Sequence, residues 1–510
     1  MVAKAIRRLF SQPLIITLLL ILQLALFFFL VTASARYFDL IRVILSLISI
    51  LVVFYIFNKQ DKSAYKLTWV FLILAFPVFG GLFYLLFYFQ STTKKVKKKL
   101  QEIVRETRPY FPPQDDVLAE MEAAVPDTPR VFRYLQDTGG FPVYQNTLTE
   151  YLTPGEAVFA ALVQELEQAE RYIFLEYFIV EEGLMWNTIL DILKEKARAG
   201  VEVRFLYDDM GCLRRLPPNY PQVLAQYGIK GAAFNRFRPV LTTLQNNRDH
   251  RKIAVVDGKT AITGGVNLAD EYINAVERFG HWKDASIMIK GEAAWSMTMM
   301  FLQMWALTTG VVEDYEGFRP PLSEAAPLSD GWVQPYADSP IDEEHVSEHV
   351  YMEIITGAKD YLYINTPYLI VDDHMLSALG LAAKSGVDVR IITPHHWDKR
   401  YVHITTRSYY RDLIEAGVKI YEYTSGFNHS KTFLSDDKIA TVGTPNLDFR
   451  SLYLHFECGV LMYETRAAAE VKADFFATLE KCQQITPDAC RGNALLRLVQ
   501  NVLRIFAPLM

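Results

Sequence analysis

The chain has 510 residues, of which 51% are hydrophobic and 22% charged, and its formal net charge is −6. At about 150 residues per domain, this length predicts about three compact units. Residues 1–99 hold thirteen Lys and Arg against two acids, a net +11, whereas the remainder holds 39 bases and 56 acids, a net −17. So acidic a body argues against general nucleic-acid binding. Four cysteines without CxxC or Cys/His spacing exclude a disulfide framework and a zinc finger.

Three apolar runs occupy the first 90 residues, at 13–33, 40–57 and 67–89. Each approaches the ~20 residues that a helix needs to cross ~30 Å of hydrocarbon. We therefore predict a transmembrane segment of two or three helices over residues 1–92. The middle run is the shortest and carries Arg42. Within a helix bundle, the pair Gly80–Gly81 in the third run would allow close helix approach, and Pro77 a kink.

The first run and the orientation of this segment each have an alternative interpretation. Bases before the first run and small residues at 33–35 are also typical of a cleaved signal peptide, but an apolar core of about 20 residues exceeds the usual 7–15. With three spans and an inside N-terminus, six flanking bases lie inside and seven outside, so the positive-inside rule leaves the sidedness open. The lysine-rich run at 94–99 favours a cytoplasmic location of the body. The run itself is either a solvated flank of the last span or a contact site for anionic lipid.

Beyond about residue 125 the chain repeats itself. The stretches AGVEVRFLYDD (199–209) and SGVDVRIITPH (385–395) are both strand-like and both follow a helix-like segment. Alternating strands and helices in both halves predict two α/β units, each with a mixed or mostly parallel sheet. The predicted boundaries are a basic juxtamembrane linker at 93–125, a first half at 126–319, a linker at 320–340, a second half at 341–492 and an amphipathic helix at 493–510.

The clearest repeat is a set of five residue types. It recurs at a single offset of 179 residues, as His250, Lys252, Asp257, Gly264 and Asn267 in the first half and as His429, Lys431, Asp436, Gly443 and Asn446 in the second. One H-x-K-x4-D pattern is expected by chance only ~0.03 times in such a chain. In a strand, H-x-K places both side chains on the same face. The duplication therefore predicts two matching half-sites.

These residue types suit attack on a phosphodiester, which requires charge neutralisation, a nucleophile and a proton donor. Lys252 and Lys431 would supply point charges, and Asn267 and Asn446 amide donors, to the non-bridging oxygens. This chemistry needs no metal or other cofactor. The sequence contains no H-E-x-x-H, EF-hand or carboxylate-cluster pattern.

The duplicated motif resembles the HKD motif of the phospholipase D superfamily. Together with the N-terminal apolar runs, the stretches LEYFI, YDD, GGVNLADEY, INTPYLI and GTPNLDFRS make the chain similar to bacterial cardiolipin synthases of that superfamily. The resemblance implies two pseudo-symmetric phospholipase D-like α/β domains that share one active-site cleft. It implies a multi-pass bacterial cell-membrane phosphatidyltransferase that joins two phosphatidylglycerol molecules into cardiolipin and glycerol. Phosphatidylglycerol, other anionic phospholipids and the membrane are then its partners, and nucleic acid is not.

The resemblance also implies the roles of the two histidines. One attacks phosphorus to form a phosphatidyl-histidine, and the other acts as acid and base. We favour His250 as nucleophile and His429 as acid/base, although the near-symmetry of the motifs leaves the reverse open. Glu457 and Asp284 are the residues that the resemblance indicates as histidine-orienting acceptors.

The other residues of the motif are expected to shape the site more than to react. Asp257 and Asp436, five residues after the lysines, are expected to form a turn at the strand end. Gly265 and Thr444 stand where many members of the superfamily have Ser. Thr444 is therefore expected to contact phosphate, whereas a backbone N–H would replace the missing hydroxyl at Gly265.

Residues around the motifs are further candidates. Five at the ends of predicted strands are expected to shape a glycerol pocket: Glu176, Tyr177, Asp208, Asp209 and Tyr368. Seven bases near the motifs either recruit an anionic headgroup or form a solvated face: Arg236, Arg238, Arg248, Arg251, Lys399, Arg400 and Arg407. The tail at 493–510 is amphipathic, so it either lies on the bilayer or packs as a final core helix, which we favour.

Four other functions remain compatible with the sequence. Water in place of the lipid acceptor would make the protein a phospholipase D, and another alcohol would make it a different transferase. A superfamily nuclease is disfavoured by the apolar runs and the acidic body. A non-catalytic membrane scaffold is disfavoured by the intact motif in both halves.

Overall fold

The computed structural model describes residues 38–76, 80–81, 84–85, 91–125, 128–237, 243–320, 331–490 and 492–509. The apolar run at 13–33, part of the run at 67–89 with Pro77, the basic candidate Arg238 and the linker stretch 321–330 lie outside these residues. The chain divides into two units. One comprises residues 1–94 and 237–246, and the other residues 95–236 and 247–510.

The first unit contains helices α1 (Phe38–Asn58) and α2 (Ser63–Ala75). Both expose large apolar side chains: Leu51 is 67% exposed and Leu74 is 70% exposed. Among the helices of the described ranges, none has both the length and the hydropathy required to cross a membrane.

The glycine pair of this unit lies against both helices. Gly81 N–H donates to Ser49 Oγ at 3.2 Å. A Cβ on Gly80 would lie 2.5 Å from Ile73 Cα, and a Cβ on Gly81 would lie 2.6 Å from Ser49 Cα. Any larger residue at either position would push the backbones apart. The structure thus contains the close approach that the glycine pair predicted.

Three helices precede the first sheet in the chain: α3 (Ser91–Thr107), α4 (Asp115–Ala124) and α5 (Arg130–Asp137). The first half then contains β1 (Thr147–Leu152), α6 (Gly155–Glu167), β2 (Tyr172–Tyr177), α7 (Leu184–Arg198), β3 (Glu202–Asp208), α8 (Asp209–Cys212), α9 (Tyr220–Ala225), β4 (Lys230–Phe234), β5 (Arg248–Asp249), β6 (Lys252–Val256), β7 (Thr260–Gly264), β8 (His281–Lys283), β9 (Ser286–Gly291) and α10 (Ala294–Thr309).

The second half contains β10 (Trp332–Asp338), α11 (Val346–Gly357), β11 (Tyr361–Asn365), β12 (Leu369–Ile370), α12 (Asp373–Lys384), β13 (Asp388–Pro394), α13 (Arg400–Glu415), β14 (Lys419–Tyr423), β15 (Gly426–Asn428), β16 (Thr432–Ser435), β17 (Ile439–Gly443), β18 (Leu447–Asp448), α14 (Phe449–Tyr453), β19 (His455–Tyr463), α15 (Arg466–Leu479), β20 (Cys482–Gln484) and α16 (Ala494–Phe506).

Each half forms one mixed sheet with the same strand order. The first is β1-β9-β7-β6-β2-β3-β4, and the second is β10-β19-β17-β16-β11-β13-β14 with β20 added at the edge. In both, three strands joined through helices run parallel, and the strands on the other side pair antiparallel. The predicted pair of α/β domains is confirmed, and its sheets are mixed.

The core between the sheets includes α10. This helix is apolar on all sides, as expected of a fully buried helix. It contacts β2, β6, β7 and β9 of the first sheet and β10 of the second. The two halves therefore share one hydrophobic core.

Two short strand pairs join the halves. Strand β5 of the first half pairs in parallel with the start of β19, and β8 of the first half pairs in parallel with β15 of the second. The pairing continues one residue further at both places, since His250 N–H donates to Phe456 O at 3.0 Å and His429 N–H donates to Lys283 O at 2.7 Å. The backbone of each motif histidine is thus fixed by the opposite half.

The C-terminal helix α16 lies on the surface of the second half. None of its residues is buried. Arg504 joins it to α13 by an ion pair to Asp412 at 2.7 Å and by lying over the Tyr409 ring at 4.3 Å. Leu495 and Leu498 are 69% and 60% exposed. The expectation of a core helix is therefore wrong, because α16 packs on α13 without burying its apolar side chains.

Candidate active site

The four basic side chains of the duplicated motif lie at the junction of the halves. His250 follows β5 and Lys252 begins β6, whereas His429 follows β15 and Lys431 precedes β16. All four side chains are buried. Each lysine also donates to the backbone carbonyl of its own motif histidine: Lys252 Nζ lies 2.5 Å from His250 O, and Lys431 Nζ contacts His429 O. The H-x-K spacing therefore gives a compact pair in each half.

His250 is held by a carboxylate from the second half. Its Nδ1 lies 2.9 Å and 3.0 Å from the two carboxylate oxygens of Glu457 on β19. Thr444 donates its hydroxyl to Glu457 Oε2 at 2.5 Å. Burial raises the pKa of Glu457. Since a carboxylate only accepts, the His250 proton sits on Nδ1 and leaves Nε2 as the basic nitrogen.

His429 is held by a carboxylate from the first half. Its Nδ1 lies 2.7 Å from Asp284 Oδ2, just beyond β8. Trp282 Nε1–H donates to the same oxygen at 3.3 Å, and Ala285 N–H donates to Oδ1 at 2.9 Å. Burial alone would raise the pKa of Asp284, but His429 and Lys431 outweigh it and lower that pKa. Each half thus supplies the acceptor for the histidine of the other.

Burial sets the charge of the site. It lowers the pKa of His429 to about 4 and the pKa of His250 well below its usual range, and the neighbouring lysines add to both shifts. Burial also lowers the pKa of Lys252 to about 8 and that of Lys431 to about 7. Both imidazoles are therefore neutral at pH 7, and an anion bound in the site would stabilise the charged form of both lysines.

The two motif asparagines lie beside these groups. Asn267 accepts from Ile179 N–H at 2.9 Å and donates to Tyr272 Oη at 2.8 Å, so one of its two amide hydrogens remains for another partner. The carbonyl oxygen of Asn446 is buried and has no hydrogen-bond partner among the described residues. A phosphate contact from either amide stays a prediction.

The two motif aspartates form turns at the far ends of their strands. Asp257 and Asp436 adopt positive φ angles of 53° and 56°. The Asp257 carboxylate accepts three backbone N–H groups that lead into β2, and that of Asp436 accepts three that lead into β11. Each side chain therefore fixes the loop before the central strand of its sheet.

Gly265 and Thr444 contact the orienting carboxylates. A Cβ on Gly265 would lie 1.9 Å from Asp284 Oδ1, so only glycine fits there. The Thr444 hydroxyl is committed to Glu457, and its direct contact with phosphate stays a prediction. Gly265 and Thr444 thus occupy equivalent positions beside the orienting carboxylates. Gly265 leaves room for Asp284, and Thr444 donates a hydrogen bond to Glu457.

Two of the predicted glycerol-pocket residues, Asp208 and Tyr368, have hydrogen-bond partners within the protein. Asp208 caps α8 and accepts Asp249 N–H at 3.1 Å. Tyr368 donates to Asp398 at 2.6 Å. Glu176 is fully buried in β2, and burial raises its pKa well above the usual value. Tyr177 is also buried in β2, and Asp209 begins α8.

The predicted basic cluster is largely paired. Arg251 donates to the carbonyls of Glu457 and Asp338, Arg248 pairs with Asp208, and Arg407 pairs with Glu422. Arg236 is not free either. Lys399 and Arg400 are exposed at the start of α13. Lys399 is the most minor of the charges that lower the pKa of His250, after burial, Lys252, Lys431 and His429.

Sequence reasoning missed two residues beside the motif histidines. The His455 ring centroid lies 5.5 Å from that of His250, and the Trp282 centroid lies 5.1 Å from that of His429. Each stands two residues before an orienting carboxylate and therefore on the same strand face. Aligning His455-Phe-Glu457 with Trp282-Lys-Asp284 would have revealed both.

One family model matches both halves of the chain. A family model described as "Cardiolipin synthase, PLD-like domain" matches residues 162–305 and 351–479, more than half of the chain. The chain belongs to this phospholipase D-like cardiolipin synthase family. Membership identifies it as an enzyme of the phosphatidyltransferase class. A second family model, described as "Phospholipase_D-nuclease N-terminal", matches residues 44–87.

Individual relatives extend the similarity over most of the chain. A cardiolipin synthase of Alkalihalophilus pseudofirmus is 36% identical over 92% of this chain and 94% of its own length. Cardiolipin synthase 2 of Bacillus cereus is 35% identical over 89% of this chain and 88% of its own. The crystal structure of phosphatidylserine synthase from Haemophilus influenzae, 16% identical, aligns with a TM-score of 0.57 over 74% of this chain and 98% of its own, which shows the shared fold.

Proposed function

We propose that the protein transfers a phosphatidyl group from one phosphatidylglycerol to another, reversibly, giving cardiolipin and glycerol through a covalent phosphatidyl-histidine. The observation that carries this proposal is the pair of buried imidazoles, each bound through Nδ1 to a carboxylate of the opposite half. That arrangement frees two Nε2 atoms, which suit two successive displacements at one phosphorus.

In the first displacement, His250 Nε2 attacks phosphorus while the bond from phosphorus to the glycerol oxygen breaks. His429 gives its proton to the departing oxygen. Although the pKa of His429 is about 4 in the protein alone, the bound phosphodiester anion raises it, because a nearby negative charge favours the imidazolium. Glu457 stabilises the positive charge that develops on His250.

In the second displacement, His429 takes the proton of a hydroxyl on the second phosphatidylglycerol. The hydroxyl oxygen attacks phosphorus, the bond to His250 breaks and the enzyme is regenerated. Lys252 and Lys431 neutralise the non-bridging oxygens in both steps. Two in-line displacements predict retention of configuration at phosphorus, which a chiral-phosphate substrate would test, and inversion would contradict the covalent scheme.

The burial of the reacting groups supports an alcohol acceptor over water. Both histidines and both lysines are buried, so a bound lipid would leave little room for solvent at phosphorus. Glycerol and the second lipid headgroup are both alcohols, and the exchange replaces one diester by another. We therefore expect a small net driving force and reversal by added glycerol.

Incubation of the full chain with phosphatidylglycerol labelled in its headgroup tests this function. We expect cardiolipin and free glycerol in equal amounts, and loss of both products in His250→Ala. His374→Ala, at an exposed histidine on α12, is the matched control and should retain turnover. Phosphatidic acid as the only lipid product would instead establish a hydrolase, and absence of any product from the wild-type chain would overturn the assignment.

We further propose that the protein resides in the bacterial cell membrane as a multi-pass protein. The exposed apolar side chains of α1 and α2 support attachment to lipid, and exposed lysines at the start of α3 would attract anionic headgroups. The exposed leucines of α16 add an amphipathic surface contact.

Substitution of both Leu495 and Leu498 by Gln tests the contact of α16 with lipid. We expect weaker saturation by phosphatidylglycerol vesicles, with a rise in apparent KM of about three- to tenfold. Leu381→Gln on α12, where the side chain is 65% exposed, is the matched control. Equal effects of the control and the double variant would contradict a specific contact.

A further inference from the structure

His455 is a buried imidazole without a hydrogen bond. Its side chain is on β19, and the residue is 8% exposed. Neither Nδ1 nor Nε2 has a hydrogen-bond partner among the described residues. Buried polar groups are normally paired, so two unsatisfied nitrogens beside a reacting histidine indicate a partner that arrives with the ligand.

The position of His455 points to the reacting phosphate as that partner. The ring is beside His250, with centroids 5.5 Å apart, and beside Phe178 at 6.4 Å. Its Nδ1 is 3.8 Å from Glu457 Oε1, too far for a hydrogen bond. Glu457 already accepts from His250 and Thr444, so His455 can place its proton on Nε2.

The equivalent position of the other half shows the contrast. Trp282, two residues before Asp284, packs beside His429 but donates its Nε1–H to Asp284 at 3.3 Å. Tyr272 and Phe427 surround the indole at centroid distances of 4.7 Å and 5.0 Å. Trp282 is therefore satisfied within the protein, and of these two residues His455 alone keeps an unused donor.

We propose that His455 is an additional phosphate-binding residue, which donates a hydrogen bond from Nε2 to a phosphoryl oxygen of the lipid. The inference rests on the proposed function, since the phosphate is that of the transferred group. Burial and the neighbouring His250 keep the pKa of His455 well below its usual range, so the donor is a neutral imidazole. His455 complements the lysines, because it contributes a hydrogen bond to the phosphate without adding positive charge to the site.

The affinity of the full chain for inorganic phosphate, measured by calorimetry, tests the inference. His455→Phe keeps a ring and removes both nitrogens, and we expect about ten- to hundredfold weaker binding. His455→Asn restores an amide donor and should recover most of the affinity. His374→Phe, the same change at an exposed histidine on α12, is the matched control and should stay within about twofold of wild type.

The pH dependence separates this role from a purely structural one. The ratio of wild-type to His455→Phe affinity should stay constant between pH 6 and about 9, since a neutral donor does not titrate there. Equal weakening by His374→Phe, or no weakening by His455→Phe, would overturn the inference. Phosphate binding is read without turnover, so an enzyme that binds phosphate but makes no cardiolipin would contradict the proposed function alone.

A metal ion is the competing occupant. The ligand atoms of His250, His455 and Glu457 lie within 4.8 Å of one another, the one such group among the described residues. Metal analysis of the purified chain decides between the two. A stoichiometric ion that is lost in His455→Phe would overturn the phosphate contact, whereas a metal-free chain with the affinity changes above would establish it.

Discussion

The two half-sites have the same scaffold but different surroundings for their histidines. His250 has a glutamate acceptor, a threonine that holds that glutamate and a second imidazole at its side. His429 has a shorter aspartate acceptor, a glycine in place of the threonine and a tryptophan at its side. The duplication preserves the reacting groups, whereas the residues that contact the carboxylates have diverged. Divergence of this kind lets one histidine be tuned as nucleophile and the other as acid and base.

The largest effect should come from the histidines themselves. His250→Ala and His429→Ala should each lower turnover of phosphatidylglycerol by at least ~10³-fold. A phosphatidyl p-nitrophenyl ester separates their roles, because its leaving group needs no proton. We expect a burst of p-nitrophenol from His429→Ala and none from His250→Ala. The opposite pattern would reverse the roles of the two half-sites.

The orienting carboxylates should have the next largest effect. Asp284→Asn and Glu457→Gln leave the fold intact but no longer fix the imidazole proton on Nδ1, so kcat should fall about 10²- to 10³-fold. Asp257→Asn is the control, because its carboxylate accepts three backbone N–H groups in a turn. It should lower the melting temperature, through a loss of about 1–3 kcal/mol, while kcat stays near wild type. If Asp257→Asn abolished turnover and Asp284→Asn did not, the assignment would be wrong.

Exchange of the glycine and the threonine tests the divergence directly. Gly265→Thr would place Cβ 1.9 Å from Asp284 Oδ1 and displace the carboxylate, so activity should fall by at least ~10²-fold. Thr444→Gly removes one hydrogen bond to Glu457, and its activity should fall about three- to tenfold. Steady-state kinetics of both variants measures the difference. Comparable losses would show that the two half-sites are equivalent after all.

The smallest expected effect is a shift of the pH profile. The pKa of Lys431 is about 7 and that of Lys252 about 8, so kcat/KM should fall as the pH rises through this range and the lysines lose their charge. The pKa of His429 is about 4 in the protein alone, and the bound phosphodiester anion raises it. Lys431→Arg should move the alkaline limb to higher pH, since arginine remains charged. A wild-type profile that is flat from pH 6 to about 9 would contradict the role of the buried lysines.

The sequence predicted the two domains and the residues of the motif because both depend on local spacing, and the duplication shows the same spacing twice. The repeat of His250 and Lys252 as His429 and Lys431 identified the two half-sites from spacing alone. Family resemblance indicated Asp284 and Glu457, and the structure places each on the histidine of the opposite half.

The contacts that link the halves could not be predicted in the same way. Strands β5, β8 and β15 have two or three residues each, too few to show a hydrophobic period. Their pairing therefore became visible only in three dimensions, as did the unpaired nitrogens of His455. The prediction that α16 packs in the core was also wrong, because an amphipathic pattern does not show which apolar surface its apolar side contacts.

The exchange of carboxylates through β5 with β19 and β8 with β15 has a consequence for how such a chain could arise. A protein with a single repeat would contain a histidine and an acceptor that cannot reach one another within the same copy. It would have to associate with a second copy, as a symmetric dimer, before either imidazole was oriented. A chain that carries both copies permits each acceptor to change independently, and in this chain one acceptor is a glutamate and the other an aspartate.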